Sequence, residues 1–191
     1  METINNIINN SIRAGNPESM EIKETNLKGC YTIQPWIFRD ERGYFFESFN
    51  QKTFEELTGH KVSFVQDNQS FSTYGTVRGL HFQQGDYAQG KLVRVIEGRV
   101  YDVAVDLRKN SETYGEWFGT ELSGDNNLQL YIPRGFAHGF SVLSETALFT
   151  YKCDNFYHKA AEGGIRYDDP KLGVDWQIPK DKMILSEKDL L

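Results

Sequence analysis

Cysteine is scarce in this sequence, with two residues among 191, which excludes the small secreted proteins held together by a disulfide framework. The two, Cys30 and Cys153, are also spaced unlike any zinc-binding signature. No apolar run approaches the roughly 20 residues that a membrane-spanning helix needs. The first residues lack the basic segment followed by an apolar segment of a secretory signal. We therefore expect a cytoplasmic protein without a membrane partner.

Positive charge is also scarce, since 21 Lys and Arg stand against 27 Asp and Glu and give a formal net charge of −6. A protein that binds nucleic acids in general usually has a basic surface, so we expect no nucleic-acid partner. A small anionic ligand remains compatible with this composition, because it responds to the charge of one pocket rather than to that of the whole protein.

Histidine occurs only four times, and no two histidines are separated by a single residue. Such a pair holds a divalent ion in many β-barrels, and the candidate position here contains His81-Phe82-Gln83 instead. Glutamine is a poor ligand for a transition-metal ion. The sequence therefore predicts no catalytic metal.

The composition predicts one folded domain, because 39% hydrophobic and 14% aromatic residues in a chain of this length can build one sizeable core. Residues 1–20 are rich in asparagine and polar, and we interpret them as a loose extension. Residues 21–191 contain no linker and no internal repeat, and we assign them to the single domain.

Hydrophobic side chains recur at every second residue over much of the chain after residue 30, which is typical of strands. Residues 91–108 contain two β-branched runs that meet at Glu97-Gly98, which predicts a hairpin. Further strands are predicted over residues 128–133, 139–144 and 147–153. One short helix is predicted over residues 50–60, ending at Gly59. This pattern predicts an all-β fold, an antiparallel jelly-roll barrel with short accessory helices.

Four polar side chains fall on strand faces that are otherwise apolar: His81, Lys91, His138 and Tyr151. In residues 77–83, strict alternation places His81 on the face opposite Arg78. Each of the four has an ordinary structural interpretation, as a satisfied core residue or as a lysine that reaches solvent. Together, on converging faces, they predict a cavity open at one end of the barrel. The pattern alone leaves open whether this cavity only binds a ligand or also catalyses a reaction.

Eight segments in one order resemble the dTDP-4-dehydrorhamnose 3,5-epimerase family. They are RDERGYFFESFN (39–50), VQDN (65–68), RGLHFQ (78–83), AQGKLVRV (88–95), DVAVDLR (102–108), IPRGFAHGF (132–140), YKCDNFY (151–157) and LSEKD (185–189). The resemblance runs from about Ile22 to Asp189. It implies a cupin-type jelly roll, usually a homodimer, with no metal and no nucleotide redox cofactor. It also implies a dTDP-4-keto-6-deoxyhexose substrate on the route to dTDP-L-rhamnose.

The resemblance implies a role for each matching residue. His81 would be the base, Asp189 its orienting carboxylate and Tyr151 the proton donor, with Lys91 and His138 beside the sugar. Tyr157 matches the ring that stacks on thymine. The other positions that match nucleotide-sugar contacts are Arg42, Glu47, Gln66, Asp67, Asn68, Arg78, Glu162 and Lys188. The chain ends two residues after Asp189, so we expect this position to be prone to fraying.

These residue types suit the chemistry. A ketone at C4 acidifies the C–H bonds at C3 and C5, and inversion requires groups on both faces of the ring, as His81 and Tyr151 provide. Lys91 suits a developing enolate oxygen, and the arginines suit a diphosphate. The alternatives are inversion at one centre only, a binding protein without turnover, and a metal-dependent oxygenase of the same fold.

Overall fold

The computed structural model describes residues 20–190, so the predicted extension lies outside the described residues except for Met20. Met20 is partly buried and packs against a cluster that includes Ile33 and Phe54, so it belongs to the folded part of the chain. No described helix combines the length and the apolar character needed to cross a membrane.

The described residues form thirteen strands and few helices. The strands are β1 (Glu21–Glu24), β2 (Tyr31–Gln34), β3 (Phe38–Asp40), β4 (Gly43–Phe45), β5 (Gln66–Thr73), β6 (Val77–Gln83), β7 (Lys91–Glu97), β8 (Arg99–Asp106), β9 (Trp117–Ser123), β10 (Gln129–Ile132), β11 (Phe136–Val142), β12 (Thr146–Cys153) and β13 (Glu162–Gly164). The α-helix α1 spans Gln51–Thr58, and short 3₁₀ helices span Gly85–Tyr87, Lys159–Ala161, Lys180–Lys182 and Glu187–Leu190.

Two antiparallel sheets pack face to face. One has six strands in the order β1-β2-β10-β7-β12-β5, and the other has five in the order β13-β6-β11-β8-β9. The main core lies between them and draws on both, with Val93 and Phe149 from the six-stranded sheet and Ala104 and Phe140 from the five-stranded sheet. Strands β3 and β4 form a separate two-stranded sheet. The predicted all-β jelly roll with short accessory helices is confirmed.

The predicted hairpin at Glu97-Gly98 is wrong, because β7 and β8 belong to different sheets. The chain does turn at Gly98, but it crosses there from the six-stranded to the five-stranded sheet. Gly98 has φ +81°, and a Cβ at this position would lie 2.0 Å from the carbonyl oxygen of Thr146. The turn signal was therefore real, but it marked a corner of the sandwich.

Strand β8 is buried on both faces because a second layer covers the five-stranded sheet. Val103 and Val105 form a second cluster with Trp176, and partly buried side chains between residues 165 and 185 complete it. The C-terminal segment therefore packs on the outside of the sheet that contains His81, which brings the chain end close to that strand.

Helix α1 covers part of the opposite sheet and agrees with the sequence prediction. Asn50 is the N-cap, and its side chain accepts a hydrogen bond of 3.1 Å from the backbone N–H of Thr53. Gly59 ends the helix in the left-handed conformation. Phe54 is buried and packs edge-on against Tyr131 of the outer sheet face, with ring centroids 4.8 Å apart.

Candidate active site

An irregularity in β6 sets the direction of its polar side chains. His81 lies opposite His138 and Arg78 lies opposite Phe140, so three steps on β6 correspond to two on β11. This bulge places Arg78 and His81 on the same face, and the predicted separation of these two residues is wrong. The strands can approach so closely because both have glycine there: a Cβ on Gly79 would lie 2.6 Å from the Cα of Gly139.

A cavity of about 170 Å³ lies between the two sheets. All four of the polar residues on otherwise apolar strand faces border it. His81 and His138 extend from the five-stranded sheet, and Lys91 and Tyr151 from the six-stranded sheet. The remaining lining residues are Arg78, Phe82, Gln83, Gln89, Phe140, Phe149, Tyr157 and Glu162.

The imidazole of His81 is 32% exposed and is backed by a buried carboxylate. Its Nε2 lies 3.1 Å from Oδ1 of Asp189, although the N–H direction is not aligned for a hydrogen bond. Such contacts often tighten only when substrate is bound. Burial lowers the pKa of His81 and Asp189 opposes this effect, so the imidazole is neutral at neutral pH.

Asp189 is held firmly despite its position near the chain end, so the expected fraying does not occur at this residue. It is only 2% exposed and lies in the 3₁₀ helix Glu187–Leu190. Its carboxylate accepts hydrogen bonds from Gly79 and Ser186. Arg166 donates a hydrogen bond of 2.6 Å to the carbonyl oxygen of Leu190 and fixes the segment beyond it.

Lys91 and Tyr151 lie together on the facing sheet, with Nζ 5.8 Å from the centroid of the phenol ring. Burial lowers the pKa of Lys91, while Cys153 and Asp102 oppose this effect. Burial raises the pKa of Tyr151, so the phenol keeps its proton at neutral pH. The cavity therefore has a neutral imidazole on one wall and a protonated phenol on the other.

His138 has a carboxylate partner that sequence reasoning missed. Its Nε2 lies 2.9 Å from Oδ2 and 3.1 Å from Oδ1 of Asp102, which is fully buried. The signal was present: Asp102 has the same strand parity as Val100 and Ala104, which point into the core. A buried carboxylate of this kind needs a partner, and the pair fixes the imidazole that faces the cavity.

The mouth of the cavity contains a polar cluster. The hydroxyl of Tyr157 donates a hydrogen bond of 3.1 Å to Glu162, and Nζ of Lys188 lies 2.8 Å from the same carboxylate. The Lys188 ammonium holds the pKa of Glu162 below its usual value. Half of the Tyr157 side chain is exposed, which leaves its ring free to stack on a planar ligand.

The structure does not bring every predicted residue to this cavity. Gln66 and Asn68 point inward beside it from the edge strand β5 and hydrogen-bond each other at 3.0 Å. Asp67 points the opposite way because strand side chains alternate; it is 68% exposed and paired with Lys152. Arg42 and Glu47 do not line the cavity: Arg42 lies in the turn between β3 and β4 and pairs with Asp40, and Glu47 follows β4.

Known proteins resemble this chain over nearly its whole length. The model of the family described as dTDP-4-dehydrorhamnose 3,5-epimerase matches residues 24–191. The dTDP-4-dehydrorhamnose 3,5-epimerase of Shigella flexneri is 53% identical over 171 residues, which cover 90% of this chain and 93% of that protein.

Solved structures of the same kind of protein also resemble this chain. The crystal structure of dTDP-4-dehydrorhamnose 3,5-epimerase from Elizabethkingia anophelis has a TM-score of 0.87 at 62% identity and covers 89% of this chain and 93% of that one. A dTDP-6-deoxy-D-glucose-3,5-epimerase from Legionella pneumophila, in complex with dTDP-4-keto-L-rhamnose, has a TM-score of 0.85 at 50% identity and covers 89% of each chain. The chain therefore belongs to the dTDP-4-dehydrorhamnose 3,5-epimerase family.

Proposed function

We propose that this protein inverts C3 and C5 of dTDP-4-dehydro-6-deoxy-D-glucose and forms dTDP-4-dehydro-L-rhamnose. One observation carries the proposal: a carboxylate-backed imidazole and a protonated phenol border one cavity from opposite sheets. Family membership and the ligand named for the Legionella structure support the same substrate class.

The reaction moves protons only. Neutral His81 removes the proton from the carbon beside the C4 ketone, and the electron pair delocalises onto the carbonyl oxygen as an enolate. Tyr151 then donates its proton to the opposite face of that carbon, and solvent restores both groups. Lys91 stabilises the enolate oxygen, a type of contribution worth about 3–4 kcal/mol. Asp189 stabilises the imidazolium formed in the first step.

The size of the cavity separates sugar recognition from nucleotide recognition. At about 170 Å³ it is smaller than the ~300–1,000 Å³ of typical cavities for drug-sized ligands, so it accommodates the hexose and leaves the nucleotide at the mouth. Arg78 is a permanently charged donor suited to the diphosphate. Tyr157 stacks on thymine, and Gln66, Asn68, Glu162 and Lys188 surround this outer part. Asp67, Arg42 and Glu47 do not line this cavity. We propose that they contact the substrate bound in the cavity of a second chain.

Solvent exchange tests the reaction directly. Purified protein in D₂O with the 4-keto substrate should introduce deuterium at both C3 and C5, as read by NMR of the hexose. The matched control is the corresponding dTDP-6-deoxyhexose with a hydroxyl at C4, which should show no exchange because its C–H bonds are not acidified. Deuterium at one position only would identify a single-centre epimerase. Binding without exchange would identify the non-catalytic binding protein and refute the proposal.

We further propose a homodimer. The β3–β4 sheet exposes Tyr44 (55%) and Phe45 (57%), and the edge strand β5 exposes Phe71 (63%). Contiguous exposed apolar patches mark interaction surfaces, and we propose that these side chains contribute to one. Arg42 lies in the turn that joins β3 to β4 and would reach the site of the second chain. Light scattering should give a mass near twice the 22.0 kDa of one chain; a monomer at working concentration would contradict the proposal.

The remaining expectations concern location and cofactors. Cys30 and Cys153 are both buried and unpaired, which supports a reducing, cytoplasmic location. We expect the reaction to proceed without a metal or other cofactor. Activity that survives exhaustive chelation would support this expectation, and stoichiometric iron or manganese whose removal abolishes activity would favour the oxygenase alternative.

A further inference from the structure

The carboxylate of Asp189 is oriented by three donors on its two oxygens. Oδ2 accepts hydrogen bonds from the hydroxyl of Ser186 at 2.6 Å and from its backbone N–H at 2.8 Å. Oδ1 accepts one from the backbone N–H of Gly79 at 3.0 Å. Because Ser186 occupies Oδ2, Oδ1 is the oxygen that faces His81, 3.1 Å from its Nε2. The short hydroxyl contact has the length of a charge-assisted hydrogen bond.

We propose that Ser186 is a positioning residue for the reaction, which holds the carboxylate of Asp189 and directs its Oδ1 at the imidazole of His81. The proposal rests on the proposed function for its kinetic consequences. Its structural basis is independent of substrate, since it concerns the orientation of one carboxylate behind one ring.

The surroundings of Ser186 favour this role over general packing. Ser186 is exposed, and its hydroxyl has no other hydrogen-bond partner among the described residues. The segment is anchored separately: Ile184 exchanges backbone hydrogen bonds of 2.8 and 2.9 Å with Gly75 and Val77, and Arg166 holds the carbonyl oxygen of Leu190. Loss of the hydroxyl therefore removes a constraint on Asp189 and leaves the segment attached.

The charged groups around His81 define the expected pH effect. Asp189 and Glu162 raise the pKa of the imidazole, whereas Lys91 and His138 lower it, in addition to the dominant effect of burial. The ammonium group of Lys188 lies near the carboxylate of Asp189 and is a charged neighbour on the same 3₁₀ helix. If the carboxylate turns away from the ring, His81 loses its main stabilising charge and its pKa falls further. The acid limb of kcat/KM, which reports the free base, then moves to lower pH.

The test compares Ser186→Ala with Ser186→Thr. We expect the alanine variant to lose on the order of tenfold in kcat, the effect of one hydrogen bond to a charged group, with KM unchanged. Its acid limb should move to lower pH, in the same direction as in Asp189→Ala but by less. Threonine keeps the hydroxyl, and its extra methyl group meets solvent, so it should restore both quantities. The matched control is Glu187→Ala, whose side chain is exposed and makes no hydrogen bond in the described part of the chain.

A double variant separates positioning from a general structural effect. In the Asp189→Ala background, Ser186→Ala should cause no further loss of kcat, because Ser186 acts only through the carboxylate. NMR titration of the His81 ring without substrate should give a lower pKa in Ser186→Ala than in the unmodified protein, whether or not the protein turns over this hexose. An unchanged ring pKa, or kinetic losses that simply add, would overturn the role of Ser186. Absence of solvent exchange in the unmodified protein would instead refute the proposed function.

Discussion

Replacement of His81 by asparagine should reduce turnover by about 10²–10⁴-fold, the usual contribution of a positioned acid–base group. Asparagine keeps polar atoms at the cavity wall but cannot accept the proton, because an amide is not basic. The affinity for dTDP should change little, since the groups proposed for the diphosphate and thymine, Arg78 and Tyr157, remain. Exchange into D₂O measures the first quantity, and calorimetric titration with dTDP measures the second.

The matched control is His60→Asn, which removes an imidazole outside the cavity. His60 packs edge-on against Tyr31, with its Nε2 3.4 Å from the tyrosine hydroxyl. The control should retain turnover. If His81→Asn unfolds the protein while His60→Asn does not, His81 is a structural histidine and the proposed base is wrong. Full activity of His81→Asn would lead to the same conclusion, with another group as the base.

The sequence predicts where strands lie better than it predicts which strands pair with each other. The alternation of apolar and polar residues correctly placed Lys91 and Tyr151 on the core faces of β7 and β12. This works because the direction of successive side chains along a strand is a local property. The pairing of β7 with β8 was wrong because a turn signal reports that the chain turns and contains no information on which sheet the next strand joins. The side of Arg78 was wrong for a related reason: the bulge in β6 depends on the close approach of β11 at Gly139, a contact 60 residues away.

The supporting residues of the site were the least predictable. Strand parity marks Asp102 as an inward-facing carboxylate, but its partner His138 is identified only in space, as is Asp189, the partner of Ser186. Asp67 shows the opposite difficulty. Its run, Gln66-Asp67-Asn68, matches the family as one motif, but consecutive residues of a strand point to opposite faces. Family resemblance therefore predicts positions along the chain, while the geometry of each strand decides which side of the sheet each side chain occupies.

Replacement of Tyr151 by phenylalanine should separate two steps that His81→Asn abolishes together. The ring keeps its shape and its packing near Phe149, but the proton for the opposite face is lost. Product formation should fall by about 10²–10⁴-fold. Deuterium should still enter the substrate at the carbon that His81 deprotonates, because the imidazolium exchanges with solvent and can return a deuteron to the face from which it took the proton.

Retained exchange without inversion is the signature that distinguishes a donor from a residue that merely shapes the cavity. A shaping role predicts that exchange and product formation fall together, and that result would contradict the assignment of Tyr151. The control is Tyr114→Phe, which removes an exposed phenol outside the lining of the cavity and should change neither rate.

Because burial raises the pKa of Tyr151, the unmodified enzyme should keep its donor protonated throughout neutral and mildly alkaline pH. The Tyr151 phenol should therefore titrate above the ordinary tyrosine pKa of about 10, as read by NMR of its ring, and titration below that value would contradict its role as the protonated donor. The pH profile of turnover also contains the loss of charge on Lys91, whose pKa burial lowers.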